Sequence, residues 1–273
     1  MIDTKQNLTV LLDDNGVFTD YTIEAASYLR DDISVSLVSA EDYIYVGYKK
    51  PINSLYIDLS TVAAQGAINV EYYNGSWTSV SGLFDDSRGF SRNGFISWNR
   101  DLVNDQETTV NSQTMYWYRL KPDANATIVL TGLNLVFNDL QDLKEECYEV
   151  DINADLTPTV SYYVNAKNEI LQRLSNIGAF KQDSYTLYRS RMTQWDLLDI
   201  PEVKRASVMY CMAKWYFHLS DAPEDVYDQK HQYYYSQFEE LISRLRVSLD
   251  FNDNGKTQSN EILPESRTRK FSR

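Results

Sequence analysis

From about residue 40 to residue 138 the apolar positions recur with period two. Ile44, Val46 and Tyr48 alternate with Tyr43, Tyr45 and Gly47, and the same spacing returns in Leu55, Ile57 and Leu59, in Ile68, Val70 and Tyr72, and in Ile96 and Trp98. Tyr116, Tyr118 and Leu120 follow, then Ile128 and Leu130, then Leu133, Leu135 and Phe137. Successive side chains of a strand point to opposite faces, so this pattern predicts short strands with one face buried. Lys50-Pro51-Ile52-Asn53, Tyr73-Asn74-Gly75-Ser76, Arg92-Asn93-Gly94 and Lys121-Pro122-Asp123 separate them, and each supplies Gly or Asn for positive φ or Pro for a preset φ. Closely spaced strands without interleaved helices predict an antiparallel sandwich rather than a βαβ sheet.

After Phe137 the period changes. The polar run Asn138 to Glu146 reads as a boundary. Thr157-Pro158 reads as a cap with Pro in the first turn, leading into a helix whose face is Val160, Tyr163, Ile170, Leu171, Leu174 and Ile177 and whose stop is Gly178. Asp199 and Pro201 open a second helix carrying Val203, Ala206, Met209, Ala213, Tyr216 and Phe217. Asp221 and Glu224, spaced as in a capping box, open a third through Val226, Tyr227, Tyr234, Phe238, Leu241, Ile242, Leu245 and Leu249. That helix is predicted to run about 27 residues, roughly 40 Å. The expected fold is α+β and multidomain: an antiparallel, jelly-roll-like β-sandwich over residues 1–145, an α-helical bundle over 146–250, and a C-terminal arm over 251–273.

Composition narrows the function. The chain has 273 residues, 43% hydrophobic and 24% charged, which is ordinary for a globular protein. No apolar run approaches the roughly 20 residues of a membrane helix. The polar start Met1-Ile2-Asp3-Thr4-Lys5-Gln6 has no basic-then-apolar signal pattern, so Cys147 and Cys211 are expected to stay reduced in a cytoplasm. The net charge of −13 argues against a protein built to grip nucleic acid. That acidity is concentrated early, with 20 acidic against 10 basic residues up to Glu145 and 19 against 16 after it. Tyrosine is abundant, with 21 copies, and its apolar ring with a polar tip suits interfaces as well as cores.

Motifs for chemistry are sparse. His218 and His231 are the two histidines, there is no Cys-x-x-Cys pair, and packing roles suffice for both rings. Phosphate-binding glycine loops and a Gly-x-Ser-x-Gly elbow are absent from the sequence. The acid pairs Asp13-Asp14, Asp31-Asp32 and Asp85-Asp86 have the residue type for glycoside hydrolysis, but neighbours on an extended chain point to opposite faces. One local pattern fits a twelve-residue calcium loop: Asp250, Asn252 and Asn254 at positions 1, 3 and 5, Gly255 at 6, the Lys256 carbonyl at 7 and Glu261 at 12. A polar Asx and Gly turn that stops the long helix explains the same residues. The aromatics from Tyr72 to Trp77 and at Trp98 fit a sugar platform or, equally, sandwich core and rim. Asp85 to Arg92 mixes both charges around glycine and reads as a surface loop that meets a partner or a neighbouring subunit.

The run Trp195 to Tyr210, then Ala213 to Asp221, then Tyr233 to Leu241 and the Asp250 to Gly255 ending resembles the head-tail connector, or adaptor, proteins of tailed bacteriophages. The likeness covers about residues 157 to 261 and rests on helix lengths and placement of small residues. It implies a helical bundle that docks on the portal protein, repeats as a ring of about twelve copies, and sends a C-terminal tail toward the portal. Arg267, Arg269, Lys270 and Arg273 fit such a tail, and Tyr234 and Phe238 of the third helix are the expected partner contacts.

The β-rich half departs from the small adaptors and resembles galactose-binding-like sandwich modules of phage structural proteins, around Tyr43 to Tyr48, Leu55 to Leu59, Glu71 to Trp77 and Gly94 to Trp98. The expectation is a non-enzymatic virion protein of the phage neck, made in the host cytoplasm, that meets portal, tail or neck proteins and capsid or fibre proteins. DNA would pass through its ring without specific binding. The alternative is a carbohydrate-binding tail or baseplate protein using Trp77 and Trp98.

Overall fold

A computed structural model describes residues 8–26, 33–38, 41–49, 51–99, 104–134, 136–152, 158, 160–176, 181–182, 189–190, 197 and 200–245. The chain separates into two compact units between Leu135 and Val136, ten residues before the expected boundary at 145/146.

The first unit runs, in chain order, through β1 (Thr9–Asp14), β2 (Val17–Asp20), helix α1 (Thr22–Ala25), β3 (Ile33–Leu37), β4 (Tyr43–Tyr48), β5 (Ser54–Thr61), β6 (Ile68–Tyr73), β7 (Trp77–Ser79), β8 (Ser81–Asp85), β9 (Gly94–Asn99), β10 (Glu107–Val110), β11 (Gln113–Pro122) and β12 (Ala126–Leu133). These strands form two antiparallel sheets. One has the order β2-β1-β4-β11-β6-β7 with β10 also on β11, the other β3-β12-β5-β9-β8. Val10, Ile44, Val46, Val70 and Leu120 of the first sheet and Val35, Leu55, Ile57, Ile96 and Ile128 of the second are all buried. The sheets meet face to face, since Trp98 of β9 packs 5.1 Å from Tyr118 of β11 and residues of β1, β3, β4 and β12 line one common void.

Two differences from the sequence reading have plain causes. Strands β1, β2 and β3 precede residue 40, ahead of the run where period two is read, within the 1–145 span expected for the sandwich. β1 and β2 are joined by Asn15 and Gly16 at φ 48° and 87°, the residue pair that a two-residue hairpin turn prefers. Of the strand expected at Leu133, Leu135 and Phe137, Leu133 is the last residue of β12, which shifts register against β5, Leu135 lies outside the described residues, and Phe137 is buried in the second unit.

The second unit contains α2 (Leu140–Glu146), α3 (Glu149–Ile152), α4 (Val160–Asn176), the short pair β13 (Lys181–Gln182) and β14 (Arg189–Ser190), α5 (Ile200–Leu219) and α6 (Val226–Arg244). The run read as a boundary is α2, a helix with a reciprocal cap in which Asp139 and Asp142 each accept the other's backbone N–H at 3.0 Å. Its Leu143 is fully buried, and Asp142 pairs with Lys204 of α5 at 2.7 Å. Helix α5 packs against both α4 and α6 and is buried on most sides, from Val203 through Tyr216. Phe217, expected inward, is 55% exposed. Helix α6 starts one turn later than expected: Asp225 is the N-cap, and its carboxylate accepts from the Asp228 N–H at 2.6 Å. Its last helical residue is Arg244.

Candidate functional site

Tyr234 and Phe238, expected as partner contacts, face inward. Phe238 is fully buried and packs 5.1 Å from Tyr210, while the Tyr234 ring stacks on Tyr216 at 5.6 Å and 12°. They are core because positions 234, 238, 241 and 242 form the side of α6 that meets α5. The calcium-loop residues Asp250, Asn252, Asn254, Lys256 and Glu261 and the arm cations Arg267, Arg269, Lys270 and Arg273 lie outside the described residues. Among the described residues no cluster of three or more His, Cys, Asp or Glu has metal-binding spacing, and no helix is long and apolar enough to cross a membrane.

What α6 offers outward is a different set of side chains. Tyr233 is 58% exposed, Tyr227 41%, Val226 63%, and Tyr148, just before α3, 72%. Three consecutive tyrosines, Tyr233, Tyr234 and Tyr235, advance by about 100° each on a helix, so they cannot all face the core; that spacing was the available signal. Behind this face lies a polar network. The Tyr216 hydroxyl donates to Glu149 Oε2 at 2.8 Å and sits 3.2 Å from Cys147 Sγ. Lys230 pairs with Glu149 Oε1 and lies 5.1 Å above the Tyr216 ring. Burial, the Cys147 contact and the Glu149 carboxylate push the Tyr216 phenol far up, whereas the Lys230 ammonium and the Tyr216 hydroxyl hold Glu149 below its ordinary value. The network locks α3 against α5 and α6, fixing the ground on which Tyr148, Tyr227 and Tyr233 stand.

Carboxylates neighbour these residues along the chain: Glu146 stands two before Tyr148, and Asp221, Glu224, Asp225 and Asp228 lie around the start of α6, beside Val226 and Tyr227. Glu146, Asp221 and Glu224 are exposed, and Asp225 and Asp228 are half-buried in the first turn of α6. Glu146 is close enough to Tyr234 to raise its phenol, although burial is the larger cause.

A second buried cluster sits between α2, α4 and α5. Asn138 is fully buried; its Oδ1 accepts from Ser207 Oγ at 2.5 Å and lies 3.7 Å from Cys211 Sγ. Lys167 of α4 is buried with its ammonium 5.5 Å from the Phe137 ring, and this burial brings it down to about 7. Asp142 is pushed up to about 6 by burial and by Asp139, against the pull of Lys204. Cys211 is buried and raised by desolvation; both cysteines are free thiols.

On the first unit the outward face of the larger sheet carries an aromatic cluster. Leu11, Tyr45, Val110 and Trp117 are buried there, with Phe18, Tyr43, Trp77 and Met115 packed against them. The Arg119 guanidinium lies 4.2 Å from the Tyr43 ring and 4.5 Å from the Trp77 ring and is held by Glu71 at 2.5 Å. Trp98, the other expected sugar contact, is 5% exposed on the inner face, so it forms no platform. The remaining candidates are structural braces. Asp13 accepts from the Gly16 N–H at 2.7 Å, Asp85 accepts from Ser87 Oγ and the Gly89 N–H, and Asp86 pairs with Arg92 at 3.3 Å. Asp31 and Asp32 lie outside the described residues. His218 Nδ1 is 2.8 Å from the Tyr162 hydroxyl, and His231 Nδ1 is 2.9 Å from the Ala213 carbonyl. The Asp85 to Arg92 loop is anchored by fully buried Ser87 and Phe90, with Arg88 exposed at its tip.

No family model matches the chain, and neither the curated proteins nor the solved structures contain a match to it.

Proposed function

We propose that this protein is a non-enzymatic structural component of a tailed-phage virion, an adaptor of the neck that repeats as a ring between portal and tail. In this reading the helices of the second unit act as a bundle that builds the ring. The two-sheet unit is a jelly-roll-like sandwich that braces it or fastens capsid or fibre proteins. The protein is made in the host cytoplasm and ends in the virion.

The observation that carries the proposal is the exposed face formed by Tyr148, Val226, Tyr227 and Tyr233. Large apolar and aromatic side chains left in water together mark a surface that is covered in an assembly. Cyclic assembly needs two different patches per subunit, one meeting the other on the next copy. The acidic balance of −13 suits a conduit, because a wall of like charge does not hold phosphates passing through it. The portal protein and tail or neck proteins are the partners above and below the ring.

Labelling of intact virions with antibody against residues 8–134 tests the placement. Gold at the single head-tail junction is the expected result. Label confined to the tail tip would replace the neck reading with a baseplate one.

A further inference from the structure

The geometry points to the exposed tyrosine face of the helical unit as the docking site for the basic C-terminal segment Arg267 to Arg273 of a neighbouring copy. This rests on the ring reading above and names the contact that would join one subunit to the next.

Val226 and Tyr233 are seven residues apart on α6 and therefore lie on one side of it, two turns along. Lys230 stands between them, and its ammonium is committed to Glu149. Tyr233 packs edge-on to Tyr234 at 5.2 Å, and Tyr227 stacks on Tyr216 at 6.2 Å, so the exposed rings are extensions of one buried aromatic stack. Tyr148 adjoins the same network through Cys147 and Glu149. Among the described residues Glu146, Asp221, Glu224, Asp225 and Asp228 make no ion pair. The face is thus a set of ring surfaces with neighbouring carboxylates that make no ion pair among the described residues.

Its complement is written in the same chain. Residues 267–273, Arg-Thr-Arg-Lys-Phe-Ser-Arg, hold four cations, one aromatic ring and no acid. Arginine and lysine heads sit favourably over tyrosine rings and beside carboxylates, and Phe271 supplies an apolar group for the space around Tyr148, Tyr227 and Tyr233. The face and the segment are two different surfaces of one polypeptide. A contact between them on successive copies is head-to-tail, which is the type that closes a ring.

The test uses a labelled peptide of residues 264–273 titrated into the full chain carrying Arg267→Glu, Arg269→Glu, Lys270→Glu and Arg273→Glu, so that its own segment does not compete. Saturable binding is expected. It should weaken roughly 10-fold or more when Glu146, Asp221 and Glu224 are changed to Lys, as several surface ion pairs lost together imply, and it should weaken with added salt. Absence of binding, or binding indifferent to the three Lys substitutions, overturns the proposal. The parent chain, diluted until its native mass is that of a monomer, should still bind the peptide. Refusal would show that the segment occupies its own subunit's face, and this also overturns the proposal. A ring that forms with portal although the peptide does not bind leaves the neck reading standing without this contact. Peptide binding with no portal-dependent ring does the reverse.

Discussion

Trp117 of β11 lies across Gly47, its partner in β4. A methyl group on Gly47 would sit 2.6 Å from the indole Cζ3 and 2.4 Å from Met115 Sδ. The glycine is a packing requirement: the missing side chain makes room for a fully buried tryptophan on the outward face of the larger sheet, beside Tyr45. Gly47→Ala should therefore destabilise the first unit by about 1–3 kcal/mol, the usual cost of overfilling a packed site. Urea unfolding followed by tryptophan fluorescence checks this; an unchanged midpoint would mean that the indole moves aside at no cost.

Arg119 is stacked between Tyr43 and Trp77 and bonded to Glu71. Lysine keeps the charge but loses the planar stack and the Nε–H donor. Arg119→Lys is expected to cost about 1–2 kcal/mol, combining a partly desolvated cation–π contact with a charge-assisted hydrogen bond. Glu71→Gln should cost less, because the stack survives. The ranking of the two unfolding midpoints is the measurement.

Lys167 predicts a pH signature. Burial brings its ammonium down to about 7 from 10.5, so between those values the unfolded chain binds the proton that the folded chain has released. Stability therefore rises as pH increases from 7, and the penalty for burying the amine is greatest below 7. The rise should be about 2 kcal/mol by pH 9. Asp142 has the opposite sign in a lower window: raised from 3.8 to about 6, it costs stability as pH climbs through that interval, and its effect is complete by pH 7. Cys211 and the buried phenols of Tyr210, Tyr216 and Tyr234 are raised, so they oppose the Lys167 effect above about pH 9. Lys167→Met should flatten the profile between pH 7 and 9, as thermal melts across that range would show.

Removing the Ser207 hydroxyl strips the Oδ1 of fully buried Asn138 of its 2.5 Å donor. Ser207→Ala leaves that oxygen only the weak Cys211 thiol donor at 3.7 Å, so a cost of about 1 kcal/mol, that of one lost hydrogen bond, is expected. Chemical unfolding followed by far-ultraviolet circular dichroism reports it, since the helices of the second unit dominate that signal.

The sequence made the sheets legible wherever one face is buried and the other wet, as in Ile68 to Tyr73 with alternating burial. It was least informative where both faces are covered. In β4, Ile44 through Tyr48 are all buried because Trp117 and its neighbours cover the outward face, so alternation there does not mark the wet side. The hairpin at Asn15-Gly16 was readable from its turn chemistry, with Val10, Leu11 and Leu12 before it and Val17 and Phe18 after it. Helix α2 was hidden by its own polarity: Asp139 and Asp142 read as linker, yet they form the cap that starts the helix. Aromatic content marks α6 in the sequence, but Tyr234 and Phe238 fall on the core side of the helix. Only the packing of α5 shows that Tyr227 and Tyr233 are the rings left outside.

The proposed ring is tested by the native mass of the purified full chain, alone and mixed with a portal protein encoded beside it. A ring of about twelve copies that forms with portal, and is lost when Tyr148, Tyr227 and Tyr233 are changed to Ser, is the predicted result. A monomer that ignores portal would rule out the ring.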